Sequence, residues 1–374
     1  MKAFNAGSYI NQGYYKSFQP TTINRTWEVM DMSLIYLLGE ADRQIGKLDM
    51  YSKYVPNLEL FTHMHVTKEA TQSNKIEGTQ TNIEEVILER EDIPSEKRDD
   101  WDEVHNYMQA MNFGVERLKE FPFSARLIKE LHAILLNGVR GEHKQPGNFR
   151  QSQNWIGGSN ISNAVFVPPV HTSVAELISD MEKFAHDEDH LFPELLKIAL
   201  IHYQFETIHP FLDGNGRVGR LFITLYLISK NLLKQPVLYL SDFFERNRAA
   251  YYDGLMRARE KNDLVAWLKF FLTGVVETAQ SGVATFDAIL QLQKTCDAQI
   301  ASLGSRAANA KKVLEALYKK PAISTHQVGT ITGLSAASAY KLVADLEQFG
   351  ILREATGNKR GRIYLFDSYI KLFY

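Results

Sequence analysis

The sequence predicts a mainly α-helical chain, interrupted by one β-hairpin and closed by a C-terminal winged helix-turn-helix domain. Three observations predict it. Apolar side chains recur at three- and four-residue spacing over most of the body. One glycine-rich loop between two short β-prone runs breaks that habit. The charge also changes sign near residue 305: residues 305–374 carry eleven Lys and Arg against five Asp and Glu, so a tail of net charge +6 follows a body of −8. The predicted units are an N-terminal helical region (1–100), a core with its following helices (101–300) and the basic tail (305–374), with the seam in the small-residue stretch Ala301–Ala310.

Composition narrows the class. With 374 residues, 45% hydrophobic and 23% charged, the chain has the make-up of a globular protein of two or three domains, not of a disordered, collagenous or coiled-coil one. A net charge of −2 argues against a protein that coats nucleic acid. The single cysteine, Cys296, excludes an internal disulfide framework and a multi-cysteine zinc site. The N-terminus lacks an apolar leader, and the longest apolar stretch, Leu221–Ile228, is far short of the ~20 residues that span a bilayer. A soluble cytoplasmic protein without membrane contact is expected.

In chain order, Ser73-Asn74-Lys75-Ile76-Glu77-Gly78 reads as a helix end, with Ser73 and Glu77 on one face and Gly78 as the cap. Thr81 with Glu84 forms a capping box that opens a short helix, Asn82–Arg90. Asn154–Ile156 and Ala164–Val167 flank the loop 157–163 as a hairpin. Glu194–Ile208 gathers Leu195, Ile198, Ile201, Phe205 and Ile208 on one face, and Gly216–Lys230 repeats the pattern with Val218, Leu221, Phe222 and Leu225. In the tail, Val313, Leu314, Leu317 and Tyr318 mark a helix; Ser324 with Gln327 is a second capping box, Gly333 a turn, and Ser335 opens a helix that Gly350 ends. Ile351-Leu352 and Arg362–Phe366 are strand-like around a turn containing Lys359 and Arg360, which completes the winged-helix pattern.

The chemistry concentrates in His209-Pro210-Phe211-Leu212-Asp213-Gly214-Asn215-Gly216-Arg217-Val218-Gly219-Arg220. This loop ends at a helix N-terminus, where unpaired backbone N–H groups favour an anion. Gly214 and Gly216 let those amides curve around it. Arg217 and Arg220 fork onto phosphate oxygens, Asp213 suits Mg²⁺ held together with substrate phosphates, and His209 is able to accept a hydroxyl proton. The glycines also satisfy G-x-G-x-x-G, but that dinucleotide fingerprint needs a preceding strand, and a helix precedes this loop. A plain glycine turn carrying a solvated Arg pair is the bland alternative.

These twelve residues resemble the signature of the Fic family, H-P-F-x-D-G-N-G-R-x-x-R, at every fixed position. The resemblance implies a Fic-type helical core and transfer of AMP from ATP to a Ser, Thr or Tyr hydroxyl of a target protein, or of the chain itself. By the same resemblance His209 is the base, Asp213 holds Mg²⁺, Gly214, Asn215 and Gly216 line the anion hole, Arg217 steadies the phosphates and Arg220 grips the γ-phosphate. Ser73–Gly78 resembles the family's inhibitory motif, [S/T]-x-x-x-E-[G/N], which implies that Glu77 pairs with Arg220 in the γ-phosphate's place. Hairpin 154–167 resembles the flap that presents the target hydroxyl by strand addition, and Pro146–Arg150 resembles the family's lead-in to it. Arg246–Tyr252 resembles the stretch that closes on adenine, with Asn247, Tyr251 and Tyr252 as contacts. A homodimer is also compatible with the resemblance. His63 and His65, two apart, point away from one another and are not read as a metal pair. Two alternatives remain at this stage: removal of AMP from a modified target at the same site, and a DNA-binding regulator with a nucleotide-sensing core. The tail's wing cations favour DNA, while its second helix offers only Lys341; a protein contact through the winged helix is the other use of such a module.

Overall fold

The computed structural model describes residues 4–54, 58–189, 191–358 and 361–374. The chain opens with an antiparallel hairpin, β1 (Gly7–Asn11) and β2 (Lys16–Pro20), in which Tyr9 lies opposite Phe18. Helices α1 (Met32–Tyr54), α2 (Leu58–Ile76) and the short α3 (Ile83–Val86) follow. The core is built from α4 (Arg98–Arg117), α5 (Ala125–Leu135), α6 (Val174–His186), α7 (Glu194–Ile208) and α8 (Asn215–Ser229). It is closed by α9 (Ser241–Arg246), α10 (Arg248–Lys261) and the 38-residue α11 (Leu264–Ala301), which packs along α1. The tail holds α12 (Ala307–Lys319), β3 (Ala322–Ser324), α13 (Thr325–Thr332), α14 (Ala336–Gln348), β4 (Arg353–Glu354), β5 (Ile363–Leu365) and α15 (Asp367–Ile370). β3 and β4 flank β5, both antiparallel to it.

α7 is the centre. Every residue from Leu195 to Ile208 is buried, so its polar side chains must find partners inside the protein. His202 meets the Gly219 carbonyl at 3.0 Å and the Tyr251 hydroxyl at 2.9 Å. Gln204 donates to the Thr21 carbonyl at 3.0 Å, and Thr207 to the Tyr203 carbonyl at 2.7 Å. α8 closes onto α7 because residue 219 has no side chain: a Cβ there would sit 2.4 Å from Glu206 Oε1. Trp267 of α11, fully buried, ties its indole N–H to the Ala199 carbonyl at 2.9 Å.

Several local expectations shift. Residues 7–20 are a hairpin and not helix, and α4 runs through the proposed boundary at 100. The capping box is Asn82 with Glu85, one residue later than Thr81 with Glu84, and the helix ends at Val86, followed by a 3₁₀ turn at Arg90–Asp92. The 154–167 hairpin is held by one antiparallel bridge, Ile156 to Phe166, with a 3₁₀ turn at Ile161–Asn163 in its loop. The first tail strand after α14 is Arg353–Glu354 instead of Ile351-Leu352, and β3 was not anticipated. Lys359 and Arg360 lie outside the described residues. The Ser324–Gln327 capping box, the left-handed Gly333 and the Ser335 cap stand as read. α12 packs on α2, Lys320 pairs with Glu89, Arg353 lies 3.4 Å from Glu84, and Phe373 meets the His65 ring at 5.0 Å.

Candidate active site

The loop between α7 and α8 is shaped before any ligand arrives. His209 caps α7 in the left-handed region (φ 49°), which turns the chain out of the helix and leaves the last carbonyls needing donors. Arg150 supplies them: its guanidinium donates to the carbonyls of His209 (3.0 Å), Ile208 (3.3 Å), Ser152 (3.1 Å) and Pro169 (2.5 Å). Asn154 donates to the Phe211 and His209 carbonyls at 2.8 and 3.1 Å. Asn215 clamps Phe211 from both sides, accepting its N–H at 2.8 Å and donating to its carbonyl at 2.9 Å. His132 stacks on Phe211 at 3.7 Å. Its Nδ1 accepts from the Gly147 N–H at 2.9 Å, so Nε2 carries the proton and donates to the Asp213 carbonyl at 3.0 Å. Burial holds this imidazole neutral, with its pKa down at about 4. Gly214 (φ 73°) then starts α8.

At the start of α8 lies an ion pair whose arginine is buried and whose carboxylate is partly open to solvent. Arg220, 1% exposed, donates from Nε to the Ser73 hydroxyl at 2.8 Å, and from Nη2 to the Ser73 carbonyl at 2.9 Å and to Glu77 Oε1 at 2.7 Å. Burial alone would raise the Glu77 pKa, but the Arg220 charge and hydrogen bond outweigh it and hold the carboxyl below its usual range. Glu77 reaches this position because residue 216 is glycine: a Cβ would stand 2.3 Å from Glu77 Oε1. α2 is fixed from behind by Glu69, which accepts the Tyr107 hydroxyl at 2.9 Å and the Ser241 hydroxyl at 2.5 Å.

Beside this pair opens a cavity of about 610 Å³, lined by Glu77, Gly216, Arg220, Glu206 and His209 on one side. Trp155, Ile156 and Phe166 of the flap and Tyr251, Tyr252 and Met256 of α10 form its other walls. That volume and mixed lining suit a nucleotide-sized ligand. β2 braces the flap through the Phe18 N–H to the Val167 carbonyl at 2.8 Å, and the Arg259 guanidinium lies 4.1 Å over Phe166. His209 is driven to a pKa of about 3, chiefly by burial and further by Arg259.

The cavity thus gathers His209, Gly216, Arg220, Glu77 and Tyr252, while Gly214 and Asn215 shape its loop and Ser73 holds Arg220. Two residues, Asn247 and Arg217, depart from expectation. Asn247 turns away, its amide donating to the Phe243 carbonyl at 2.9 Å to end α9, so it does not line the cavity. Arg217 is buried against Glu103 (3.3 Å) and Asn74 (3.5 Å) instead of facing the cavity. Asp213 sits at the loop's outer rim with its side chain 43% exposed, one oxygen accepting the Gly214 N–H at 2.6 Å. That leaves one half-open carboxylate, which fits Mg²⁺ arriving with phosphates and water. Among the described residues no cluster of three His, Cys, Asp or Glu forms a metal cage of its own. Sequence reasoning missed Glu206, His132, Asn154 and Arg259. Glu206 was the most accessible of these, an acid one turn before the motif in a helix with a strongly apolar face.

Two family models match the chain: the Fic/DOC family N-terminal model over residues 35–116 and the Fic/DOC family model over 122–227, together just over half its length. The chain belongs to the Fic/DOC family. Curated relatives include a protein adenylyltransferase Fic of Aedes aegypti, 31% identical over 38% of this chain and 26% of that protein. Another, from Drosophila grimshawi, is 28% identical over 52% and 38%. The chain therefore spans about a quarter to two fifths of the length of these relatives. A Fic family protein from Desulfovibrio desulfuricans has the same fold, with a TM-score of 0.60 and 19% identity over 91% of this chain and 98% of that one. Fic-1 of Caenorhabditis elegans also does, at 0.51 and 18% identity over 70% and 74%. No helix among the described residues is long and apolar enough to cross a membrane.

Proposed function

We propose that the chain is a protein adenylyltransferase that moves AMP from ATP to a hydroxyl of a protein, itself included, and that Glu77 restrains it in cis. The observation that carries this reading is Glu77 bound to Arg220 at 2.7 Å above Gly216, in the cavity that His209 also lines. The triphosphate takes the amides around Gly214–Gly216 and the Arg220 guanidinium, displacing Glu77. The target segment lies along the flap at 154–167 and offers its hydroxyl to His209. The hydroxyl oxygen then attacks the α-phosphorus, its proton passes to His209 Nε2, and the bond to the β-phosphate breaks to release pyrophosphate. Mg²⁺ on Asp213, when bound, would neutralise phosphate charge during this step. Tyr252, with Trp155 and Ile156 opposite, supplies the flat apolar walls an adenine needs. Relatives named protein adenylyltransferase and the complete motif support the assignment.

The tail fits a winged helix, and its exposed Tyr340, Lys341 and Arg362 suit duplex DNA; a protein partner would use the same face. A homodimer and a cytoplasmic setting complete the reading. Its test is incubation of wild type, Glu77→Gly and Glu77→Gly/His209→Ala with labelled ATP and Mg²⁺ in host lysate, followed by mass spectrometry. AMP incorporation that rises in Glu77→Gly and vanishes in Glu77→Gly/His209→Ala supports it. Equal incorporation in all three would reject it.

A further inference from the structure

A base buried to a pKa of about 3 accepts a proton poorly, so the imidazolium formed at His209 needs a compensating charge. Two carboxylates stand near the ring: Glu77, whose charge favours its protonated form, and Glu206. Glu77 is displaced in the working state proposed above, on which this inference rests. Glu206 remains. It is buried on the same helix, one turn before His209, with Oε2 4.0 Å from His209 Nδ1. Among the described residues His209 Nδ1 has no side-chain hydrogen-bond partner, only the Glu206 backbone beside it, and the carboxylate's other oxygen, Oε1, has none. A buried carboxylate with one oxygen left unpaired is costly and persists where something requires it. Space is also reserved for it, since any Cβ at Gly219 would strike Glu206 Oε1.

We infer that Glu206 is the orienting carboxylate of a Glu206–His209 pair, a positioning residue that fixes Nδ1–H toward itself and stabilises the imidazolium as Nε2 takes the hydroxyl proton. No atom is transferred to Glu206: the proton leaves the attacking oxygen for Nε2, and Nδ1–H stays in the shared hydrogen bond. The other charged groups around Glu206 are Arg220 from α8, Glu77 from the end of α2 and Arg259 from α10. Burial first, with Glu77 adding to it and Arg220 and Arg259 opposing, sets the Glu206 pKa up at about 7; once Glu77 is displaced its contribution is lost, so the pair gains its negative member at lower pH.

The test uses the full chain carrying Glu77→Gly, with and without Glu206→Gln and Glu206→Leu. At saturating ATP and Mg²⁺, either second substitution is expected to lower the AMP-transfer rate tenfold or more. KM for ATP should stay within about twofold, and the rise in rate with pH should disappear. In the ¹⁵N-histidine spectrum, the His209 ring signals should move with a single midpoint in the Glu77→Gly protein, lower than in the protein that keeps Glu77, and stay still in both Glu206 variants. A merely structural role would lower the melting point and leave the pH profile intact, and that result would overturn the inference. So would His209 signals that ignore Glu206. If the Glu77→Gly protein transfers no AMP, the adenylylation reading fails by itself, and the spectrum still decides the pair.

Discussion

Replacing Glu77 by glycine is the sharpest perturbation the site offers. It deletes one charge-assisted hydrogen bond to Arg220 while the two bonds from Ser73 to the same guanidinium survive. Glu77 is 38% exposed, so solvent screens the pair and only the net value of a charged hydrogen bond, about 1.5–3 kcal/mol, is at stake. That energy must be overcome before a triphosphate reaches Arg220. Its removal should therefore raise AMP incorporation at subsaturating ATP by about ten- to a hundredfold. The assay is the initial rate of label transfer from ATP, with Glu77→Gln as a control that keeps the shape. Melting gives a second signature: without nucleotide the glycine protein should melt lower, because a 1%-exposed guanidinium has lost its counter-charge. With ATP and Mg²⁺ it should gain more stability than wild type. Equal rates and equal ATP-induced shifts in the two proteins would refute the reasoning.

Other expectations follow from the same contacts. Arg150→Ala takes a donor from four carbonyls around the His209 turn, of which that of His209 keeps Asn154, and should cost about 3 kcal/mol or more in urea unfolding, with Arg150→Lys recovering only part. Gly219→Ala forces a methyl against Glu206 and Phe205 and should destabilise by about 1–3 kcal/mol, read as a lower denaturation midpoint. Burial lowers the pKa of His65, His202 and His209 to about 3 and of His132 to about 4, so the folded chain binds fewer protons than the unfolded one below the ordinary histidine value. The stability these neutral rings contribute is complete above pH 6.5 and is lost as pH falls toward 4; urea midpoints at pH 7.5 and 5.5 should show the drop. Asn247→Ala should lower stability slightly and leave KM for ATP unchanged, since its amide holds the Phe243 carbonyl.

The central loop was legible because its chemistry is local: a base, glycines and cations within twelve residues announce themselves by type and spacing. The same holds for Ser73 and Glu77, four apart at a helix end. Arg217 misled because spacing puts it beside Arg220 but cannot reveal that Glu103, far off in sequence, draws it inward. Asn247 misled similarly, since a side chain that satisfies its own helix end looks no different in sequence from one aimed at a base. The N-terminal hairpin escaped notice because β1 is mostly exposed on both faces and so shows no alternation of burial, while β2 buries adjacent residues against the flap. His132 and Asn154 act through backbone carbonyls of a distant loop, a relation that only the folded chain displays.

The missing side chain at residue 216 makes plug and triphosphate rivals for the same few ångströms of space. On the proposed reading Glu77 is a competitor that never diffuses away. Held on a short stretch of the same polypeptide, it faces Arg220 at an effective concentration on the order of millimolar, so ordinary swings in free ATP would barely unseat it. On that reading a releasing signal has to move the end of α2, and the tail packed along that helix stands within reach of it.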